Sequence, residues 1–253
     1  MGTIVKTVVI IQARMGSTRL PGKVMLPLGG GTVLANVVRR VQRARLAHEV
    51  LVATSESSRD SVIVEECDRL GVPSYRGSED DVLDRYYRAA RNRAAEAVVR
   101  VTADCPLIDP GLIDETVQVF LEEGADYASN VLPRRYPRGL DTEVFTASAL
   151  ARAWNEAREP HEREHVTPYL YQHPEVFRIA SAAGEVDHSQ YRWTLDTPED
   201  LALLRAVFEN VPNASTCSWR EVLALMQERP ELAALNFGVT QKHVPFQVAK
   251  SLP

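Results

Sequence analysis

Absences narrow this chain first. Its 253 residues hold three cysteines, Cys67, Cys105 and Cys217, and no C-x-x-C pair. An odd, scattered set argues against a disulfide framework and fits a reducing compartment. No apolar run approaches the ~18 residues that a membrane-spanning helix needs. The first residues, Met-Gly-Thr-Ile-Val-Lys, lead into a strand-like stretch with no h-region or cleavage site, so a cytoplasmic location is expected. Basic runs are missing too: 29 Lys and Arg stand against 34 Asp and Glu, a formal charge of −5. Neither a nucleic acid nor a membrane is therefore an expected partner. A local basic pocket for an anionic nucleotide stays open. No internal repeat or low-complexity tract is visible.

What is present is ordinary for a globular protein: 45% hydrophobic and 25% charged residues. Residues 7–11, 50–53, 72–75, 97–101 and 125–128 read as short strands. Helical spacing fills 32–44, 58–70, 80–95 and 110–121, the last with Asp109 as cap and Pro110 at its first position. Continuous apolar strands alternating with helices imply an α/β fold with a mostly parallel sheet covered on both faces. Past residue 130 the pattern changes. A stiff basic loop with Arg134, Arg135 and Arg138 precedes an alternating strand at 140–145, and further strands are expected near 176–180 and 191–195. Thr197 opens another helix, and Ser218 with Glu221 is a capping box for a last one.

In parallel sheets ligands bind beyond the carboxyl ends of strands. The loop after the first strand reads Gln12-Ala-Arg-Met-Gly-Ser-Thr-Arg-Leu-Pro-Gly-Lys23. Arg14, Arg19 and Lys23 share it with Gly16, Ser17, Thr18 and Gly22. Glycines let backbone N–H groups turn toward an anion, and the cations balance its charge. A triphosphate needs this combination, because negative charge grows on the departing pyrophosphate. The Walker A spacing is absent. The bland alternative is a solvated basic turn.

This loop resembles the signature loop of the cytidylyltransferases that make CMP-activated sugar acids, such as the CMP-Kdo and CMP-acylneuraminate synthetases. The nearest branch resembles the spore-coat polysaccharide protein F group. Members usually carry Pro where Gln12 stands. The resemblance implies a three-layer nucleotide-diphospho-sugar-transferase-like α/β fold. It also implies that Ala13, Arg14, Gly16, Ser17, Arg19 and Lys23 wrap the nucleotide, with Arg14 and Lys23 on its phosphates.

Two acidic motifs follow. In Val101-Thr-Ala-Asp-Cys-Pro-Leu-Ile-Asp109, Asp104 ends an apolar strand, where a carboxylate can enter the ligand crevice. Mg²⁺ takes one or two carboxylates plus water and phosphate oxygens. The alternative is a cap for the turn before Pro106. The resemblance implies that Asp104 is a metal ligand and that Asp196, in Trp193-Thr-Leu-Asp-Thr-Pro-Glu-Asp200, is the second. Asp-Thr-Pro-Glu-Asp is also simply a good helix start. Thr54 follows the second strand, where backbone groups often meet a base. The resemblance carries a base-side role onto Asp84 and Arg85, which otherwise read as a surface pair on a helix.

The acceptor side is expected in the second half. Arg138, Asp141 and Glu143 share one short segment, and alternation puts Asp141 and Glu143 on one strand face. That face could hold sugar hydroxyls, or an acceptor anion through Arg138. His161-Glu-Arg-Glu-His165 satisfies H-E-x-x-H, a zinc peptidase pattern. It is mostly charged and flanked by Pro160 and Pro168, so it reads better as an acceptor-facing or dimer-facing segment, with Arg163 and His165 as candidates.

The expectation is a Mg²⁺-dependent cytidylyltransferase. Residues 1–236 would form one domain, with 133–190 as an acceptor and dimerisation insertion and 237–253 as a tail. Its partners would be CTP, a small anionic acceptor (sugar acid or phosphonate) and a second copy of itself. Catalysis would rest on Arg14, Lys23 and Asp104. The rivals are a glycosyltransferase of the same fold, a zinc hydrolase built on the H-E-x-x-H segment, and a non-catalytic nucleotide-binding regulator.

Overall fold

Apolar side chains on both faces of a strand need cover on both faces. In the computed structural model, which describes residues 5–241, the chain meets that need with helices. The first half runs through β1 (Thr7–Gln12), a small hairpin of β2 (Pro27–Leu28) and β3 (Gly31–Thr32), α1 (Val33–Val41), β4 (Glu49–Ser55) and α2 (Ser61–Leu70). It continues with β5 (Ser74–Gly77), α3 (Val82–Asn92), β6 (Ala97–Thr102), α4 (Pro110–Glu122) and β7 (Tyr127–Ser129). The second half adds β8 (Glu143–Thr146), α5 (Ala147–Glu156), α6 (Pro160–His165), α7 (Pro168–Tyr171), β9 (Ile179–Ser181), α8 (Pro198–Asn210), α9 (Trp219–Glu228) and α10 (Pro230–Ala233).

The main sheet has the order β5-β4-β1-β6-β8-β7-β9. β1 pairs in parallel with β4 and β6, and β4 with β5. β8 runs antiparallel to both β6 and β7, and β7 is parallel to β9. The α/β class with a mostly parallel, mixed sheet is therefore as the sequence indicates. Side-chain alternation sorts the core. Val9, Ile11, Val52, Val99 and Val101 pack on α1, α2 and α4. Val8, Ile10, Leu51, Val98 and Phe145 pack on α3 and α5. A third cluster joins Trp193 and Leu195 to α8 and α9. Each such fully buried side chain contributes about 1.5–3 kcal/mol over exposure, so the central strands give the site a rigid base.

Local chemistry sets the helix starts. Asp109 accepts hydrogen bonds from the Gly111 and Leu112 amides at 2.8 and 3.3 Å, with Pro110 at the first position. Its other oxygen accepts from the Trp219 amide, so one carboxylate caps α4 and also tethers α9. Thr197 with Asp200, and Ser218 with Glu221, form reciprocal capping boxes.

Three boundaries differ from expectation for identifiable reasons. β5 lies two residues later than expected, because α2 ends on Gly71 and Val72 packs as a connector. Residues 191–195 form no strand of the sheet and, among the described residues, share a single bridge, Arg138 with Arg192. The stretch 133–190, expected to cover the acceptor side, also supplies β8 to the middle of the sheet. Of the expected tail, residues 242–253 lie outside the described residues.

One brace runs across the molecule. Arg40 is fully buried, and its guanidinium donates to the carbonyls of Ile108, Ala214 and Cys217 at 2.7, 2.9 and 2.7 Å. A longer bond reaches the Leu107 carbonyl. It thus clamps the loop after β6 to the segment before α9.

Candidate active site

From β1 the chain crosses over to β4 on one side, and β6 flanks β1 on the other. That reversal is a topological switch point, the place where open α/β sheets bind ligands. The loops after β1 and β6 meet there. Gly22 adopts a left-handed conformation (φ 69°), and its amide donates to the Met15 carbonyl at 3.0 Å. This closes the loop on itself and turns Lys23 inward, where its side chain is 10% exposed.

Lys23 Nζ donates to Asp104 Oδ2 at 2.5 Å and to Asp196 Oδ1 at 2.8 Å. Burial alone would lower the pKa of this ammonium, but the two carboxylates outweigh it and hold the value above the usual lysine range. Asp196 also meets Arg19 at 2.8 Å and Arg192 at 2.7 Å, both on Oδ2. Burial would raise its pKa, and Lys23, Arg192 and Arg19 together hold it below the usual carboxylate value. The Asp196 loop is fixed from behind. Asp200, fully buried, accepts from the amides of Asp196 and Thr197 and pairs with Arg192 at 2.9 Å. Asn236 donates to Asp200 and to the Arg192 carbonyl, and Gln241 meets Arg192 as well.

The donor set defines what metal fits. Asp104 and Asp196 converge on one cationic point. A hard divalent ion of the Mg²⁺ type takes one or two carboxylates and completes its shell with water and phosphate oxygens. Among the described residues no group of three His, Cys, Asp or Glu is arranged to hold a metal by side chains alone.

The loop after β1 is tied to the end of β4 by Asp60, which sequence reasoning missed. Its carboxylate accepts from the Met15 amide at 2.8 Å, the Ser55 hydroxyl at 2.6 Å and Thr54 Oγ1 at 3.1 Å. Burial pushes its pKa up, but these bonds outweigh that and leave it below the usual range. The Ala13 amide donates to the Ala53 carbonyl, a second tie between the loop and β4. Gly16 lies against Glu79 and Arg14, and the Ser17 hydroxyl accepts from the Leu20 amide. Arg14 is half-exposed, and its nearest acid is Glu164 at 3.9 Å. Arg85 is fully buried. Its Nη1 donates to the Ser78 carbonyl at 2.7 Å, while Nε and Nη2 have no partner among the described residues. Asp84 turns elsewhere, to Arg88 and to the Trp154 indole at 2.8 Å.

On the acceptor side the expected residues separate. Asp141 forms a two-pronged pair with Arg134 at 2.6 and 2.7 Å. Glu143 lies in β8 opposite Arg100 of β6, with which it forms a close ion pair, and accepts from Tyr127 at 2.7 Å. Asp141, which precedes the strand, and Glu143, at its start, thus pair with different arginines, and both act electrostatically on Arg134. Arg138 is half-buried, and its backbone bonds to Tyr191 and Trp193. Arg163 is engaged with Asp81 and the Trp154 carbonyl, tying α6 to the start of α3. Burial holds the His165 imidazole below the usual histidine range, against the pull of Glu164. In the H-E-x-x-H segment, Glu162 accepts from the amides of Arg158 and Glu159 as a helix cap.

Arg192, Asp200 and Arg100 also belong to the site without having been expected there, whereas Arg134 was expected as part of the basic loop. The one sequence signal was spacing: Arg192, Asp196 and Asp200 stand four apart.

Comparison with known proteins points one way. The family model described as Cytidylyltransferase matches residues 8–228. The spore coat polysaccharide biosynthesis protein SpsF of Bacillus subtilis is 34% identical over 231 residues, 88% of this chain and 95% of that protein. A solved cytidylyltransferase from Leptospira borgpetersenii superposes with a TM-score of 0.88 at 35% identity, covering 94% of this chain and all of the other. A CMP:2-keto-3-deoxy-manno-octonic acid synthetase solved with CTP shares the fold at a TM-score of 0.62 and 19% identity, over 81% of this chain and 98% of that one.

Proposed function

This chain belongs to the cytidylyltransferase family, and from that premise we propose that it transfers CMP from CTP to a small acidic acceptor, a sugar acid or a phosphonate, with release of pyrophosphate. One observation carries the reading: two carboxylates and three cations, Asp104, Asp196, Lys23, Arg19 and Arg192, converge at the switch point of the sheet. The acceptor oxygen attacks the α-phosphorus in line. The new O–P bond forms as the bond to the β-phosphate oxygen breaks, and no covalent enzyme intermediate is needed. Lys23 and Arg14 hold the charge that grows on the departing pyrophosphate, which is where fixed cations lower the barrier most. Asp104 and Asp196 would hold a Mg²⁺ ion, and that ion would supply neutralisation of the phosphate oxygens.

Arg85 suits the base side. Its two unpartnered donors lie in a buried setting, where leaving them unpaired costs about 1–3 kcal/mol. A base carbonyl would satisfy them. Polysaccharide biosynthesis, the process in the name of the Bacillus relative, would consume a CMP-linked product of this kind. The test is a pyrophosphate-release screen of the four NTPs against sugar acids and phosphonates. Release with CTP and one acidic acceptor is the expected result. Turnover of another NTP in preference, or of none, would overturn the assignment.

A further inference from the structure

Behind Asp196 lies a relay that ends far along the chain. Arg192 uses all three of its guanidinium nitrogens. Nε donates to Asp200 Oδ1 at 2.9 Å, Nη2 to Asp196 Oδ2 at 2.7 Å and to Asp200 Oδ2 at 3.1 Å, and Nη1 to Gln241. Asp200 is fully buried and also accepts from the amides of Asp196 and Thr197 at 2.8 and 3.1 Å. Arg192 thus grips Asp196 by its carboxylate, and Asp200 grips it by its amide. The direction of the side chain is set from both ends.

Asn236 closes this arrangement. It ends a single turn of 3-10 helix, Ala234–Asn236, that follows α10. Its side chain is buried, and Nδ2 donates to the Arg192 carbonyl at 2.9 Å and to Asp200 Oδ1 at 2.8 Å. One amide group therefore holds the main chain of Arg192 and the carboxylate of its partner at a fixed separation. Leu232 of α10 packs into the cluster of Trp193, Leu195, α8 and α9, which seats the turn. A neutral donor suits the place. A Lys or Arg at 236 would compete with Arg192 for Asp200 and add positive charge behind a cation site. An amide donates to both acceptors and adds no charge. Among the described residues, Asn236 bonds both neighbours of Asp196 and not Asp196 itself.

We infer that Asn236 is a positioning residue for Asp196, acting through Arg192 and Asp200, and that this C-terminal turn thereby sets the affinity of the site for its divalent ion. The inference rests on the transfer reading above, in which Asp104 and Asp196 would take that ion. Loss of Asn236 leaves the Arg192 carbonyl and one side of Asp200 unpaired in a buried setting, and the pair then shifts to find other partners. Asp196 moves with it, because both of its holds run through that pair. A small hard cation demands near-ideal octahedral geometry, so a carboxylate that samples several directions binds it more weakly. Changing the groups that orient a metal ligand costs about 10- to 100-fold in metal affinity or activity.

The probe is Mn²⁺ alone, with the free ion read by electron paramagnetic resonance in the folded full chain without nucleotide. Lys23 is unchanged in every variant, so differences in Kd report on Asn236. Asn236→Leu, close in shape but without donors, is expected to raise the Mn²⁺ Kd about tenfold or more. Asn236→Gln keeps the amide and should recover part of that loss. Met226→Ala loosens the same apolar cluster and leaves every hydrogen bond of the relay in place. Its melting temperature should fall while its Mn²⁺ Kd stays within about twofold. Where the leucine variant does not fold, Asn236→Ser takes its place with the same expectation. A wild-type Kd in the Leu or Ser variant overturns the inference, and so does a Met226→Ala protein that binds Mn²⁺ as weakly as Asn236→Leu. Asp196→Asn separates this from the reading beneath it. If that variant binds Mn²⁺ as tightly as wild type, the placement of the ion on Asp196 fails, and the inference fails with it.

Discussion

Replacing Lys23 with alanine should move two measurements in opposite directions. Its ammonium bridges Asp104 Oδ2 and Asp196 Oδ1, and Asp196 Oδ2 is already shared by Arg19 and Arg192. Every oxygen of Asp196 therefore serves a side-chain cation. A divalent ion binding these carboxylates without nucleotide must displace the ammonium or sit beside it. With 10% exposure at Lys23, solvent screens little of that competition. Hydrogen bonds to charged groups are worth about 1.5–3 kcal/mol each. Release of even one such bond corresponds to roughly tenfold or more in affinity. Lys23→Ala should therefore bind Mn²⁺, used as a paramagnetic stand-in for Mg²⁺, at least about tenfold more tightly in the absence of CTP. Turnover should nonetheless fall by ~10²-fold or more, because a donor on the departing pyrophosphate is lost. Free Mn²⁺ measured by electron paramagnetic resonance gives the first number, and pyrophosphate release gives the second. Unchanged or weaker Mn²⁺ binding in the variant would refute the competition, and unchanged turnover would refute the phosphate role.

Asp60→Asn should be destabilising near neutral pH by about 1–3 kcal/mol, since the carboxylate serves Met15, Ser55 and Thr54 together. The sign with pH follows from its lowered pKa: the stabilisation is present above the ordinary carboxylate value and fades as pH falls through the folded one. Thermal melts of wild type and variant should therefore converge below about pH 4, and a gap that widens in acid would contradict the assignment. Gly139→Ala meets both a left-handed backbone and the Trp193 main chain at 2.7 Å. The backbone term costs about 1–2 kcal/mol and the overlap about 1–3 kcal/mol; a denaturant midpoint equal to wild type would show that the Trp193 segment yields freely.

The legible parts of this chain are those whose signals are local. β1 and β6 announce themselves as unbroken apolar runs, and Asp109, Thr197 and Ser218 announce helix starts by cap chemistry. Lys23 and Asp104 were legible because each stands in a loop directly after a buried strand. What stayed hidden is set by contacts far apart in sequence. Asp84 bonds Trp154, seventy residues on, and nothing near Asp84 signals that partner. The Arg100–Glu143 pair follows from the register of an antiparallel strand inserted between β6 and β7, which no local pattern fixes. Asp60 looked like part of a helix start, and its acceptor role depends on a loop forty-five residues earlier. Arg192 had only its spacing to Asp196 and Asp200 to recommend it.

The brace at Arg40 has a consequence for where this protein can be shortened. A guanidinium in the core keeps its charge, so its solvation must come from the carbonyls that surround it, and two of these belong to Ala214 and Cys217. The last helices therefore act as part of the solvent for a charge lying under the Asp104 loop. A fragment ending ahead of residue 214 would retain every side chain that touches Asp104 and Asp196 directly, yet it would leave that cation half-solvated beneath them. The smallest unit able to keep the Asp104 and Asp196 loops in shape accordingly extends past α9 to Asn236, which braces Arg192 and Asp200.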